Sequence, residues 1–168
     1  MKSGLLIGGH FDVECFDKNG NLKWKDRAKN LVVNVGLDKV LDVMFHAEAA
    51  LTPWYIGLIR DDNYGAGPQA ADTMASHAGW EEGDEYSESL RQEWTEGAAS
   101  SQSITNAVSV DFSINATETM KGMFLTSSNV KSGWAGTLWA AALFSGGDQI
   151  VGSGDTLKVT YTVNAADA

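Results

Sequence analysis

The chain has 168 residues, 43% of them hydrophobic, with 22 acidic against 12 basic side chains for a formal net charge of −10, 18 glycines, two prolines and one cysteine. That is the size of one ordinary domain with enough apolar material for a real core, and the recurrence of apolar runs from end to end argues against disorder. The charge argues against nucleic-acid binding, which needs a basic footprint to displace counterions from phosphates. The single cysteine excludes an internal disulfide, and no stretch approaches the roughly 20 apolar residues that span a bilayer.

Residues 1–9 are apolar yet rich in glycine. The run Leu5, Leu6, Ile7 is too short for a signal peptide and ends at Gly8, Gly9 and His10. This segment is expected to be an N-terminal arm ahead of a single β-rich domain spanning 10–164, with 165–168 as a tail. Phe11, Val13 and Cys15 alternate with Asp12 and Glu14, and Leu22 and Trp24 alternate with Lys23 and Lys25. Asn19-Gly20 between them favours positive φ, so residues 10–26 are expected to form a hairpin. Cys15 reads as a small buried hydrophobe rather than a nucleophile. Lys23, Lys25, Arg27 and Lys29 read as a solvated strand face, with docking on an acidic partner surface as the alternative.

Leu37, Val40, Leu41, Met44 and Phe45 recur at helical spacing, with Asp38, Lys39 and Asp42 on the other side. An amphipathic helix is therefore expected over about 35–46, capped by Asn34, with its apolar stripe covering an open end or face of a sheet. Partner binding by that stripe is the alternative. Trp54, Tyr55, Ile56, Gly57, Leu58 and Ile59 read as a buried strand. Residues 60–103 then turn polar and irregular, with short helical turns expected from Asp72 to His77 and from Ser87 to Arg91. A connection this long inside a compact domain is usually functional or held by a neighbour.

From Ile104 to Val163 four strands are expected. Val110, Phe112 and Ile114 alternate with Ser109, Asp111 and Ser113, in phase with Val108. Leu157, Val159, Tyr161 and Val163 alternate with Lys158, Thr160 and Thr162. A period of two puts each apolar set on one face of a sheet. Residues 120–125 and 137–144 are apolar on both faces and are expected to be central and doubly covered. Gly146-Gly147 and residues 152–155 mark turns, and the chain from Asn164 is expected to fray. A sheet with one oily face most cheaply buries it against another. The expected fold is mainly β, an antiparallel β-sandwich or jelly-roll-like domain with one helix and one long irregular segment.

No pattern in the chain names a reaction. His10, His46 and His77 share no ligand spacing, so no metal site is expected. Glu81, Glu82, Asp84, Glu85 and Glu88 lack the alternating oxygens of a calcium loop and read as solvated. They would serve as a glycosidase pair only if other acids faced them across a cleft. Trp80, Tyr86 and Trp94 suit sugar stacking, and suit a packed loop or a subunit contact equally well. Gly133 and Gly136 bracket Trp134-Ala135 with no nucleophile. Gly152-Ser153-Gly154 precedes a strand, which removes a phosphate cradle. No catalytic residue, cofactor or metal is expected.

Several segments together resemble a group of small virion proteins of tailed bacteriophages. They are Asn30-Leu31-Val32-Val33-Asn34 leading through Val35 and Gly36 into the helix; Trp54-Tyr55-Ile56-Gly57-Leu58; Asp72-Thr73-Met74-Ala75-Ser76-His77-Ala78-Gly79-Trp80-Glu81-Glu82; Tyr86-Ser87; Gly122-Met123-Phe124-Leu125; and Gly154-Asp155-Thr156-Leu157-Lys158-Val159-Thr160-Tyr161. The resemblance implies a structural role, most often as a head decoration or cement subunit on the major capsid protein. It implies a homo-oligomer, assembled in the bacterial cytoplasm and carried on the phage head, with no nucleic-acid or membrane partner. A tail- or fibre-associated protein binding host glycans through Trp80 and Trp94 is the alternative, and a glycan-degrading enzyme using the acids of 81–88 is a third.

Overall fold

Alternating apolar side chains do pair into hairpins and sheets here. The computed structural model describes residues 4–167. Among these the elements are β1 (Leu5–Phe16), β2 (Leu22–Lys29), β3 (Leu31–Val32), α1 (Asn34–Phe45), β4 (Trp54–Arg60), β5 (Glu81–Gly83), β6 (Gln92–Trp94), β7 (Ser103–Thr105), β8 (Val110–Ser113), β9 (Glu118–Thr126), β10 (Leu138–Leu143), β11 (Gln149–Val151) and β12 (Thr156–Asp167). They form two antiparallel sheets with a single helix, the expected mainly-β class. The segment from Ile104 to Val163 holds more strands than expected, because β7 and β11 are three-residue additions to sheet margins that leave little periodicity to read.

In the first sheet the order is β2-β1-β12, and the far side of β12 is shared by β8 and β7. In the second it is β3-β10-β9-β4, with β5 and β6 sharing the far side of β4 and β11 pairing with β9. The β1–β2 turn falls where Asn19-Gly20 places it. Gly20 has φ 83°, and Asp17 closes the turn by accepting from the backbone N–H groups of Asn19 (2.8 Å) and Asn21 (2.9 Å).

The inner faces meet in one apolar layer. Phe11, Val13, Phe112, Leu157 and Val159 from the first sheet pack on Ile56, Leu58, Met123, Leu125 and Ala142 from the second. Tyr161 lies at its centre, stacked on Phe11 at 4.2 Å. Its hydroxyl accepts from Trp139 Nε1 (2.8 Å) and Asn30 Nδ2 (3.1 Å), which partners the buried hydroxyl and both donors, while Asn30 Oδ1 has no partner among the described residues. The second sheet is covered on its outer face too, by Met74 and Trp80 against Ile59, Phe124, Leu138 and Ala141. That double cover is why β9 and β10 are apolar on both sides, as their sequence requires.

Three expectations need correction. Residues 1–3 lie outside the described residues, but residues 5–9 continue β1 without a break, paired with Val163 through Asp167 of β12. The boundary at residue 10 and the frayed end from Asn164 are thus replaced by an extension of the β1–β12 pair, joined at Val163 and Asn164 by β7. Asn34 is the first residue of α1 rather than its cap. The cap is Val33, with no side-chain bond, and the Asn34 N–H donates instead to the Ala70 carbonyl (2.8 Å). Residues 72–77 form a turn and residues 87–91 are irregular chain with bends, neither of them helix. Asp72 uses its carboxylate to accept from Gln69 N and Trp80 Nε1, both at 2.9 Å, which ties the turn to the sheet's outer cover.

Candidate functional site

The acidic run is only partly solvated: Glu81, Asp84, Glu85 and Glu88 are half-exposed, but Glu82 is buried. The side chains of Glu82 and Arg91 are buried against one another. The guanidinium donates through Nε to Glu82 Oε1 (2.9 Å) and through Nη2 to Oε2 (2.7 Å). It also donates to the carbonyls of Ser128 (2.9 Å) and Gly133 (2.8 Å), while Ser132 N–H donates to Glu82 (2.9 Å). The Lys131 ammonium donates to the carbonyls of Tyr86 (2.8 Å) and Glu88 (2.7 Å) and lies 4.0 Å from the Tyr86 ring centroid. Planar bidentate pairing of this kind fixes geometry as well as charge. The loop between β9 and β10 is thereby pinned to the segment that carries the acids.

Arg60, at the end of β4, gathers the next group: Glu81 at 3.0 Å, Asp84 at 3.3 Å and Glu118 at 3.8 Å. The Glu118 side chain is only 9% exposed, and its Oε2 has no hydrogen-bond partner among the described residues. Burial, opposed by Arg60 and reinforced by Glu85, Asp84 and Asp62, pushes its carboxyl up to about 7. The folded chain therefore binds this proton more tightly than the unfolded chain does. Stability from it is full at low pH and is lost as pH rises through about 7. Glu118→Gln removes that titration. We expect its stability relative to the wild type to improve between pH 5 and pH 8 by about 1–2 kcal/mol, read from urea midpoints. A pH-independent difference would refute the assignment.

Beside this cluster lies a cleft of about 240 Å³, lined by Arg60, His77, Trp80, Glu81, Ser132 and Trp134 among others. Three rings stack along its wall. His77 lies 4.0 Å from Trp80 (interplanar angle 22°) and 5.2 Å from Trp134 (17°). Trp80 is buried and Trp134 is 65% exposed. Trp80, Tyr86 and Trp94 are all core side chains, so the packed-loop reading holds for them and sugar stacking on Trp80 or Trp94 is excluded. Trp94 donates inward to the Tyr161 carbonyl (3.1 Å).

The remaining sequence candidates are dispersed. His10 is on β1, 3.4 Å from Asp12, and His46 is the C-cap of α1. No group of three His, Cys, Asp or Glu side chains that could hold a metal ion occurs among the described residues. Cys15 is buried, and burial together with nearby Asp155 raises its thiol to about 11, so it stays protonated and unreactive. Asp155 is ion-paired with Lys23 and accepts from Gly152 N–H (2.8 Å), which makes residues 152–155 a structural turn. Arg27 forks onto Asp12 at 2.6 and 2.9 Å, and Lys25 and Lys29 are exposed, in keeping with a solvated strand face.

The largest departure is α1. Its buried side is Gly36, which sits against Trp139 so closely that a Cβ would lie 2.6 Å from the Trp139 carbonyl oxygen, with Val35, Val40 and Val43 half-buried around it. Leu37, Leu41, Met44 and Phe45 face outward, 40%, 54%, 67% and 81% exposed. The stripe expected to cover a sheet is therefore open, and only Val40 of the five packs on the core. The helix is apolar over most of its circumference, a pattern that belongs to buried helices. No protein-family model matches the chain, and no curated protein matches it.

Sequence reasoning missed Arg60, Arg91, Lys131 and Trp134. The available signal was slight: Arg91 is the one basic residue in the acidic stretch 81–96.

Proposed function

We propose that this chain is a structural virion protein of a tailed bacteriophage, a head decoration subunit that binds and stabilises the major capsid protein shell. The virion assignment rests on the segment resemblance. The observation that carries an assembly role is the open apolar stripe of α1 on a stiff two-sheet body. A cement subunit works by adding contact area across shell joints, and many modest contacts sum through multivalency. The acids and bases that would be candidates for chemistry are instead engaged in holding loops, as Glu82 and Arg91 are. Quantitative mass spectrometry of purified particles tests this. Hundreds of copies per particle, with lower heat resistance in particles lacking the protein, are expected; particles devoid of it would defeat the proposal.

One observation favours a glycan-binding tail component instead. Trp134 offers an exposed ring on a pinned loop beside the polar groups of Arg60 and Glu81. That alternative predicts a few to dozens of copies per particle. It also predicts saturable binding of soluble cell-surface polysaccharide, lost in Trp134→Ala by calorimetry with no change in melting temperature.

A further inference from the structure

The same face that carries the exposed stripe also carries a hole. Between the C-terminal half of α1 and the following segment lies a groove of about 250 Å³, lined chiefly by Val40, Val43, Ala50, Leu51, Trp54 and Trp139. Trp54 and Trp139 meet edge to face at 6.4 Å and form its aromatic wall. Met44 stands on its rim. At about 100° per residue, Phe45 is one step further round the helix, pointing out of the groove rather than into it. A knob and a socket of matching chemistry thus lie side by side on one surface. An engineered cavity of about 150 Å³ takes up benzene, so this groove has room for one phenylalanine ring.

We infer that the occupant of this face is a second copy of the chain, paired across a two-fold axis so that Phe45 of each copy enters the Val40–Trp139 groove of the other. An isologous contact requires one patch to be complementary to itself, and this patch is. Its size fits as well. Leu37, Leu41, Met44 and Phe45 together expose on the order of 400–500 Å² of apolar surface, within the roughly 300–600 Å² of the largest patch on a typical monomer, which is often functional. The exposed residues 46–50 that follow extend it towards the roughly 800 Å² per partner of a stable interface. Fixed ionic pairing within each copy, Lys39 with Glu48, keeps the charges near the groove satisfied without a partner. The bodies themselves repel, each with a formal charge of −10, so pairing by apolar contact strengthens as salt screens that repulsion. The inference deepens the structural-subunit reading by naming the partner of the helix face.

Sedimentation velocity of the full chain tests it, because it needs no particle. A concentration-dependent dimer is expected, tighter at about 0.5 M than at about 0.05 M ionic strength. Phe45→Asp should weaken it at least about 30-fold, as for a central anchor, without altering the melting profile at concentrations where the wild type is monomeric, since that ring touches little of its own core. Leu37→Asp, at the far end of the stripe, serves as a second variant should Phe45→Asp fail to fold. A wild-type monomer at every salt concentration, a dimer indifferent to both substitutions, or an odd-order assembly would overturn the pairing. A wild-type monomer whose Phe45→Asp variant loses particle attachment would assign the face to a different protein, which overturns the pairing while leaving the virion role intact.

Discussion

Replacing Arg91 with alanine is expected to lower the unfolding free energy by about 3–5 kcal/mol, the cost of breaking a buried ion pair from one side. The reason is what stays behind. Glu82 would remain buried with its charge uncompensated, and the carbonyls of Ser128 and Gly133 would lose their donor. The face of Phe124, 5.2 Å from the guanidinium, would lose its cover as well. Urea titration at neutral pH measures the loss. Removing both partners, as Arg91→Met with Glu82→Leu, should return a large part of it, because two apolar side chains leave no buried charge. Recovery would stay incomplete, since Ser132 N–H also donates to Glu82. An Arg91→Ala protein as stable as the wild type would mean that this pair is not what holds the β9–β10 loop.

Val110→Asp is expected to abolish folding or leave an aggregating product. Val110 is buried on β8, pairs with Val159 and belongs to the inter-sheet layer. A carboxylate there has no partner and no water. The cost is about 4 kcal/mol or more, a large share of the 5–15 kcal/mol that typically holds a domain together. The neighbouring exposed position supplies the control: Ser109→Asp should melt like the wild type in circular dichroism. An unchanged melt for Val110→Asp would reverse the facing assigned to β8.

The strands were legible because their information is local. Val110, Phe112, Leu157, Val159 and Tyr161 announce their inward face by alternation alone, and Asn19-Gly20 announces the turn between β1 and β2. The helix was legible as a helix and misread as a surface. Its inward residues, Val35, Gly36, Val40 and Val43, and its outward ones, Leu37, Leu41, Met44 and Phe45, are equally apolar. Periodicity finds such a stripe but does not rank two of them. The deciding residue is Gly36, whose missing side chain lets the backbone lie against Trp139. That contact spans about a hundred positions of sequence and leaves no local trace. The acids of 81–88 failed for the same reason. Glu82 meets Arg91 close in sequence but owes its burial to the loop after β9, and Glu118 joins Arg60 from a different strand. Charge composition speaks of solvent until tertiary contacts supply a counter-ion.

The antiparallel match of Leu5 with Asp167 puts the two extremities of the described chain next to one another at one tip of the β1–β12 ribbon. Tension applied between them would load the rungs of that ladder one after another, unzipping it, rather than shearing many at once. Such a subunit resists traction poorly through its ends and well through its flanks. Mechanical load is therefore better borne through the sheets and helix than through the ribbon tip.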